Sequence, residues 1–244
     1  MDERKRIEIL GVPVDMVSQA EAMGVFSGMM EEDGCSLIVT PNSEIVLNAS
    51  KDTELKSLIQ SAGLVIPDGI GLVYASKILK KPLLERVTGI DFLSDILEYL
   101  QSYGKPVFLL GGKPGVAELA AQNMKAKYPG LVIVGTRHGY YGKDEEKEIV
   151  DEINKSGALF LCAAMGSPRQ EKFIDAHKPE FLSIRAAMGV GGSLDVWAGV
   201  LKRAPEFYQK HGLEWLYRLF QEPSRFKRML KLPLFLIKVI ISKK

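Results

Sequence analysis

Asp68 stands in Pro67-Asp68-Gly69, directly after the short apolar run 64–66 and ahead of Ile70 and Leu72. A carboxylate at a strand exit, drawn partly out of water, is suited to take a proton from a hydroxyl group; a solvated turn aspartate is the plainer alternative. Similar polar residues follow other apolar runs. The run 36–40 ends in Thr40 and continues as Pro41-Asn42-Ser43-Glu44, where Asn42 or Ser43 could equally cap a helix. In Glu85-Arg86-Val87-Thr88-Gly89-Ile90-Asp91, Thr88 can cap a following helix, and Arg86 is either a ligand for an anion or half of a surface ion pair. Gly166-Ser167-Pro168-Arg169-Gln170-Glu171 reads as a polar elbow, with Ser167 as N-cap and Pro168 at the first helical position. There the first-turn amides, Arg169 and Gln170 could hold an anion, or the elbow could be an ordinary strand-to-helix connection.

Two glycine-rich exits add to this set. Gly111-Gly112-Lys113-Pro114-Gly115 and Gly189-Val190-Gly191-Gly192-Ser193 let backbone approach a ligand closely, with tight turning as the alternative use of Gly111 and Gly191. Neither is a P-loop, and neither completes the dinucleotide fingerprint, which weakens an NAD-dependent oxidoreductase as the rival activity. Tyr140, in His138-Gly139-Tyr140-Tyr141-Gly142, either stacks on a base or sugar or packs in its loop. His138, His177 and His211 share no ligand spacing and no Asp-x-Asp occurs, so neither a metal nor another cofactor is expected.

The elements that must position these residues follow from hydrophobic periodicity. Short apolar runs at 7–10, 36–40, 64–66, 107–110, 131–134, 158–164 and 183–188 read as strands. Helical stretches read as 19–31, 53–61, 71–79, 91–101, 115–127, 144–154, 168–176 and 193–201. That alternation predicts an α/β, Rossmann-like fold with a largely parallel sheet flanked by helices, whose ligands gather outside the carboxyl ends of the strands.

The chain has 244 residues, 46% of them hydrophobic, enough for one substantial core. Cys35 and Cys162 lie in or beside apolar runs without metal or disulfide spacing, which suits a reducing compartment. No signal-peptide pattern and no membrane-spanning run is visible. The net charge of +2 conceals an asymmetry: residues 202–244 hold eleven Lys or Arg against three Glu, whereas residues 1–201 are net acidic. The expected division is therefore an α/β catalytic domain, 1–201, and a basic amphipathic helical appendage, 202–244. Basic and aromatic residues interleaved with runs such as 234–237 suit a bilayer interface rich in anionic lipids better than nucleic acid, and the same apolar surface could serve a homo-oligomer. A non-catalytic membrane scaffold is the other rival.

Thr40-Pro41-Asn42, Pro67-Asp68-Gly69, Arg86-Val87-Thr88-Gly89 with Asp91, Gly166-Ser167-Pro168-Arg169-Gln170-Glu171, Gly189-Val190-Gly191-Gly192 and Arg203-Ala204-Pro205, in that order, resemble the WecG/TagA/CpsF glycosyltransferases, glycosyltransferase family 26. The pattern is most similar to the members that serve wall teichoic acid synthesis. The resemblance implies inverting transfer of N-acetylmannosamine from its UDP derivative to undecaprenyl-diphosphate-linked N-acetylglucosamine, forming a β-1,4 linkage. Within the family the donor could instead carry the uronic acid of N-acetylmannosamine, or glucose. By the same resemblance Asp68 is the base, Thr40, Asn42, Arg86 and Gln170 line the pocket, and Tyr140 and Asp195 belong to the nucleotide side. Arg218, Arg225 and Arg228 would reach a diphosphate of donor or lipid acceptor, from a tail held peripherally on the cytoplasmic face of the membrane.

Overall fold

The computed structural model describes residues 4–223 and 226–242. Among these residues eight strands are formed: β1 (Arg6–Ile9), β2 (Val12–Asp15), β3 (Ser36–Val39), β4 (Leu64–Val65), β5 (Val107–Gly111), β6 (Ile133–Arg137), β7 (Phe160–Ala164) and β8 (Ala186–Gly189). The helices of the body are α1 (Gln19–Met29), α2 (Ser43–Ala49), α3 (Thr53–Ser61), α4 (Ile70–Ile78), α5 (Gly89–Ser102), α6 (Val116–Lys127), α7 (Glu146–Ser156), α8 (Arg169–His177) and α9 (Ser193–Trp197). The C-terminal segment adds α10 (Glu206–Lys210), α11 (Glu214–Gln221), α12 (Phe226–Met229) and α13 (Lys231–Ser242).

Strands β3 to β8 make one parallel sheet in the order β4-β3-β8-β7-β5-β6. Because side chains alternate along a strand, each strand feeds two cores. Leu37, Val39, Phe108, Leu110, Leu161 and Ala187 face the layer built by α2, α3, α4, α7, α8 and α13. Ile38, Val107, Leu109, Phe160, Cys162 and Met188 face α1, α5, α6 and α9. Apart from the edge strand β6, whose residues are partly exposed, the sheet is buried on both faces, as a parallel sheet requires.

Three features depart from the sequence-based expectation. The run 7–10 is not a strand of the main sheet. It forms β1 and pairs antiparallel with β2, through a turn whose central residues Leu10 and Gly11 have φ of 52° and 81°. Leucine rarely takes positive φ, so the turn was hidden. Helix α2 was also unforeseen, although its cap was: Asn42 Oδ1 accepts from the Glu44 and Ile45 amides at 2.9 and 3.1 Å. Ser167, expected as a cap, makes no cap hydrogen bond; α8 starts at Arg169 with Pro168 in the capping position.

The hairpin is clamped to the sheet by Asp15, which is fully buried. Its carboxylate accepts from the Val65 amide and from Arg6 Nε, each at 2.7 Å. Removing it leaves the buried Val65 amide without an acceptor, while the partly exposed Arg6 keeps Ala62 O, so Asp15→Ala is expected to cost about 1–3 kcal/mol, read as a fall in melting temperature.

The C-terminal segment does not stand apart from the body. Phe235 and Val239 of α13 are fully buried in the core against α2 and α4. The opposite face of α13 leaves Leu234, Ile237, Ile240 and Ile241 exposed. Among the described residues no helix is long and apolar enough to cross a membrane.

Candidate functional site

The carboxyl ends of β3, β4, β5, β7 and β8 open onto one cavity of about 980 Å³. Thr40, Asn42, Asp68, Arg86, Tyr140, Gln170, Gly191 and Asp195 all line it, and the C-terminal segment closes one side with Arg218 and Arg228. Gly111 does not; Gly112 and Lys113 line the cavity in its place. Glycine at 111 has two reasons, neither a ligand: its φ of +142° disfavours any side chain, and a Cβ would meet Ala164 backbone, with Ala164 Cα at 2.7 Å. Arg225 lies outside the described residues.

Asp68 is presented by a tight turn after β4, its amide donating to Ile66 O at 3.0 Å. Gly69 follows with φ +90°, a conformation that glycine adopts without penalty, and starts α4. The Asp68 carboxyl is pushed up to about 6 by loss of water, reinforced by Glu214, while Arg218, Arg86 and the Gly89 amide pull the other way. Desolvation wins, and the group titrates just below neutrality.

Arg86 is half of an ion pair, with Glu214 of α11; it also donates to Gln209 O at 3.3 Å and faces the cavity. Thr88 caps α5 as expected, and Arg203 closes on Asp91 of the same turn at 2.5 Å. Thr40 Oγ1 donates to Gly189 O at 3.4 Å, joining the exits of β3 and β8. Tyr140 is the exposed member of its pair, while Tyr141 is packed, its ring under Arg169 and its carbonyl accepting from that guanidinium at 2.8 Å. Gln170 reaches the cavity wall, but its amide is committed to Gly166, Gly191 and Glu171.

Several residues of the site carry no local signal. Glu44 sits in the first turn of α2 and accepts from Arg228 Nε at 2.9 Å and from Lys231 Nζ at 2.9 Å. Burial opposes its ionisation, but the hydrogen bonds from Lys231 and Arg228 outweigh burial and hold the carboxyl below its usual range. Glu214 and Trp215 wall the cavity from α11. Lys113 was visible as a basic residue inside a glycine-rich exit. The partnership of Glu214 with Arg86 spans 128 positions and could not be read locally. Among the described residues no three His, Cys, Asp or Glu side chains converge to hold a metal ion.

The family described as the Glycosyl transferase WecG/TagA/CpsF family matches residues 7–244. A protein of Bacillus spizizenii is 36% identical over 212 residues, covering 86% of this chain and 81% of its own length. A protein of Staphylococcus aureus strain MRSA252 is 34% identical over 242 residues, covering 98% of this chain and 94% of its own. Both relatives carry the name N-acetylglucosaminyldiphosphoundecaprenol N-acetyl-beta-D-mannosaminyltransferase. With an Asp68-centred cavity at the strand exits and a match along almost its whole length, this chain belongs to the WecG/TagA/CpsF glycosyltransferase family.

Proposed function

We propose that the protein transfers N-acetylmannosamine from UDP-N-acetylmannosamine to undecaprenyl-diphosphate-linked N-acetylglucosamine, with inversion at the anomeric carbon. The observation that carries this is Asp68, a carboxylate poised near pH 6 at the strand exits, under the influence of Arg218 and Arg86. A base of that strength exists mainly as carboxylate at neutral pH yet still accepts a proton well. Asp68 takes the proton of the acceptor 4-hydroxyl as its oxygen bonds to the anomeric carbon. The bond from that carbon to the phosphate oxygen breaks on the opposite face, and UDP departs with the electron pair.

The departing diphosphate needs positive charge, and the cavity supplies it from Arg86, Arg218 and Arg228, with Lys113 and Lys231 at its wall. Arg86 and Arg228 are held ready by Glu214 and Glu44, so both are already oriented before an anion arrives. Thr40 and Asn42 border the same space from the exit of β3, and Tyr140, Gly191 and Asp195 border it where the nucleotide would lie. The exposed apolar face of α13 and the basic residues beside it rest on anionic lipid, which brings the cavity to a membrane-embedded acceptor on the cytoplasmic face.

The direct test is turnover of UDP-sugars with a short-chain lipid acceptor, comparing N-acetylmannosamine, its uronic acid and glucose as donors. Turnover with N-acetylmannosamine well above the others is expected, and absence of turnover on every donor would remove the reading. Because arginines carry the leaving-group charge, activity should survive excess EDTA. A strict requirement for added Mg²⁺ would count against that account of charge stabilisation.

A further inference from the structure

Gln170 and Glu171 are both nearly inaccessible, 3% and 1% exposed, and proton transfer at Asp68 gives neither of them a task. Gln170 Oε1 accepts from two backbone amides at once, Gly166 after β7 and Gly191 after β8, each at 3.1 Å. Two N–H donors converging on one side-chain atom require an oxygen there, which fixes which way the amide group must face. On its other side Gln170 Nε2 donates to Glu171 Oε1 at 2.7 Å. Turning the amide over would aim N–H at N–H on one side and oxygen at oxygen on the other, so both ends of the group enforce the same orientation.

Gly189 belongs to the same arrangement. A Cβ at this position would run into Gln170 Nε2 and come within 3.0 Å of Glu171 Oε1. Its φ lies outside the left-handed range, so glycine here serves space and not backbone conformation. Burial pushes the Glu171 carboxyl above its ordinary range, against the hydrogen bond from Gln170. In either protonation state it can keep an acceptor oxygen toward Nε2.

We propose that Glu171 is a positioning residue for glycosyl transfer: it sets the orientation of the Gln170 amide, which in turn ties together the glycine loops that follow the neighbouring strands β7 and β8 at the cavity wall. The assignment rests on the glycosyltransferase reading for its effect on turnover, but its structural part does not. Gly166 and Gly191 both line the cavity, so the distance between their loops sets how closely backbone meets the substrate. Small displacements of such loops are enough to lose productive geometry.

The test uses the full chain with Glu171→Gln, Glu171→Met and Gly189→Ala, assayed for turnover, melting temperature and backbone hydrogen exchange. Glu171→Gln keeps an acceptor oxygen and should stay close to the parent in all three. Glu171→Met fills similar space without an acceptor, and should lose about ten- to a hundredfold in kcat/KM while keeping the parent's pH profile. Hydrogen exchange should quicken in residues 164–168 and 189–193 of that variant but not in Glu171→Gln. Gly189→Ala displaces the same pair and should match Glu171→Met, so it carries the test if the methionine variant fails to fold.

Loss of turnover in Glu171→Gln equal to that in Glu171→Met would assign the role to an ionisable carboxyl and overturn the proposal. Unchanged exchange in both loops of a folded Glu171→Met would also overturn it, whatever sugar is used. A parent chain without turnover, but with the expected exchange pattern, would instead strike the glycosyltransferase reading and leave the clamp standing.

Discussion

Asp68→Asn is expected to abolish transfer while making the protein more stable at neutral pH. Losing a positioned base lowers the rate by about 10²–10⁴-fold, whereas UDP affinity should remain near the parent value because the phosphate-facing arginines are untouched. The stability gain follows from the raised pKa. Folding lifts the Asp68 carboxyl from 3.8 to about 6. Below about pH 3 the group is mostly protonated in both folded and unfolded chains and costs nothing. As pH rises from about 4 to 6 the unfolded chain releases the proton first, and folding stability falls through that window. Above it the ionised, dehydrated carboxylate opposes folding by about 3 kcal/mol, which a neutral asparagine avoids. The variant should therefore melt several degrees higher at pH 7.5 and nearly level with the parent at pH 4. In the parent, kcat/KM should drop tenfold per pH unit below about 6. Near-normal turnover in Asp68→Asn would remove Asp68 from the role of base.

The second large effect concerns α13, one face of which is buried in the core while the other is exposed and proposed to meet lipid. Ile237 and Ile240 are more than half exposed, and Phe235 and Val239 are fully buried. Replacing both isoleucines by aspartate removes about 3 kcal/mol of apolar burial into lipid and adds repulsion from anionic headgroups, so vesicle binding should weaken by roughly a hundredfold. The melting temperature should hardly change, because neither side chain supports the fold. Phe235→Ala is the converse: it opens a core cavity beneath α2 and α4 and should cost about 3–5 kcal/mol. Flotation with phosphatidylglycerol-containing vesicles and a thermal melt read the two effects separately. Vesicle binding unchanged by the double substitution would defeat the lipid assignment, and a concomitant loss of dimer in sedimentation would give the face to a second copy of the chain. Deleting 202–244 is a blunter experiment than point substitution. It would strip Phe235 and Val239 from the core and Arg218 and Glu214 from the cavity along with the exposed face.

The ion pairs between the C-terminal segment and the body explain why these functions sit together. Glu214 with Arg86, and Arg228 and Lys231 with Glu44, each join a tail residue to the wall of the cavity, and Arg203 with Asp91 joins the tail to the first turn of α5. The basic excess of the tail is thus partly turned inward, where Arg228 and Lys231 pair with Glu44 at the cavity wall. Charge counting along the sequence registers the excess but not the direction in which it points.

The sequence by itself determined the alternation of buried runs and amphipathic stretches, and with it the parallel sheet, the exits that carry Asp68, Thr40 and Asn42, the capped loop that carries Arg86 ahead of α5, and the basic character of the tail. Those signals are local: strand period, helix caps such as Asn42 and Thr88, and the types of residue that follow a buried strand are all contained within about ten positions. The tertiary structure alone decided the rest. The run 7–10 left the main sheet for a hairpin because Leu10 accepted positive φ in the turn to β2. The C-terminal helix became part of the core because α2 and α4 offered an uncovered apolar face to Phe235 and Val239. Asp68 acquired its raised pKa, Arg86 its Glu214 partner and Gln170 its two glycine loops from residues distant in the chain, and burial and charge pairing have no period that a sequence could display.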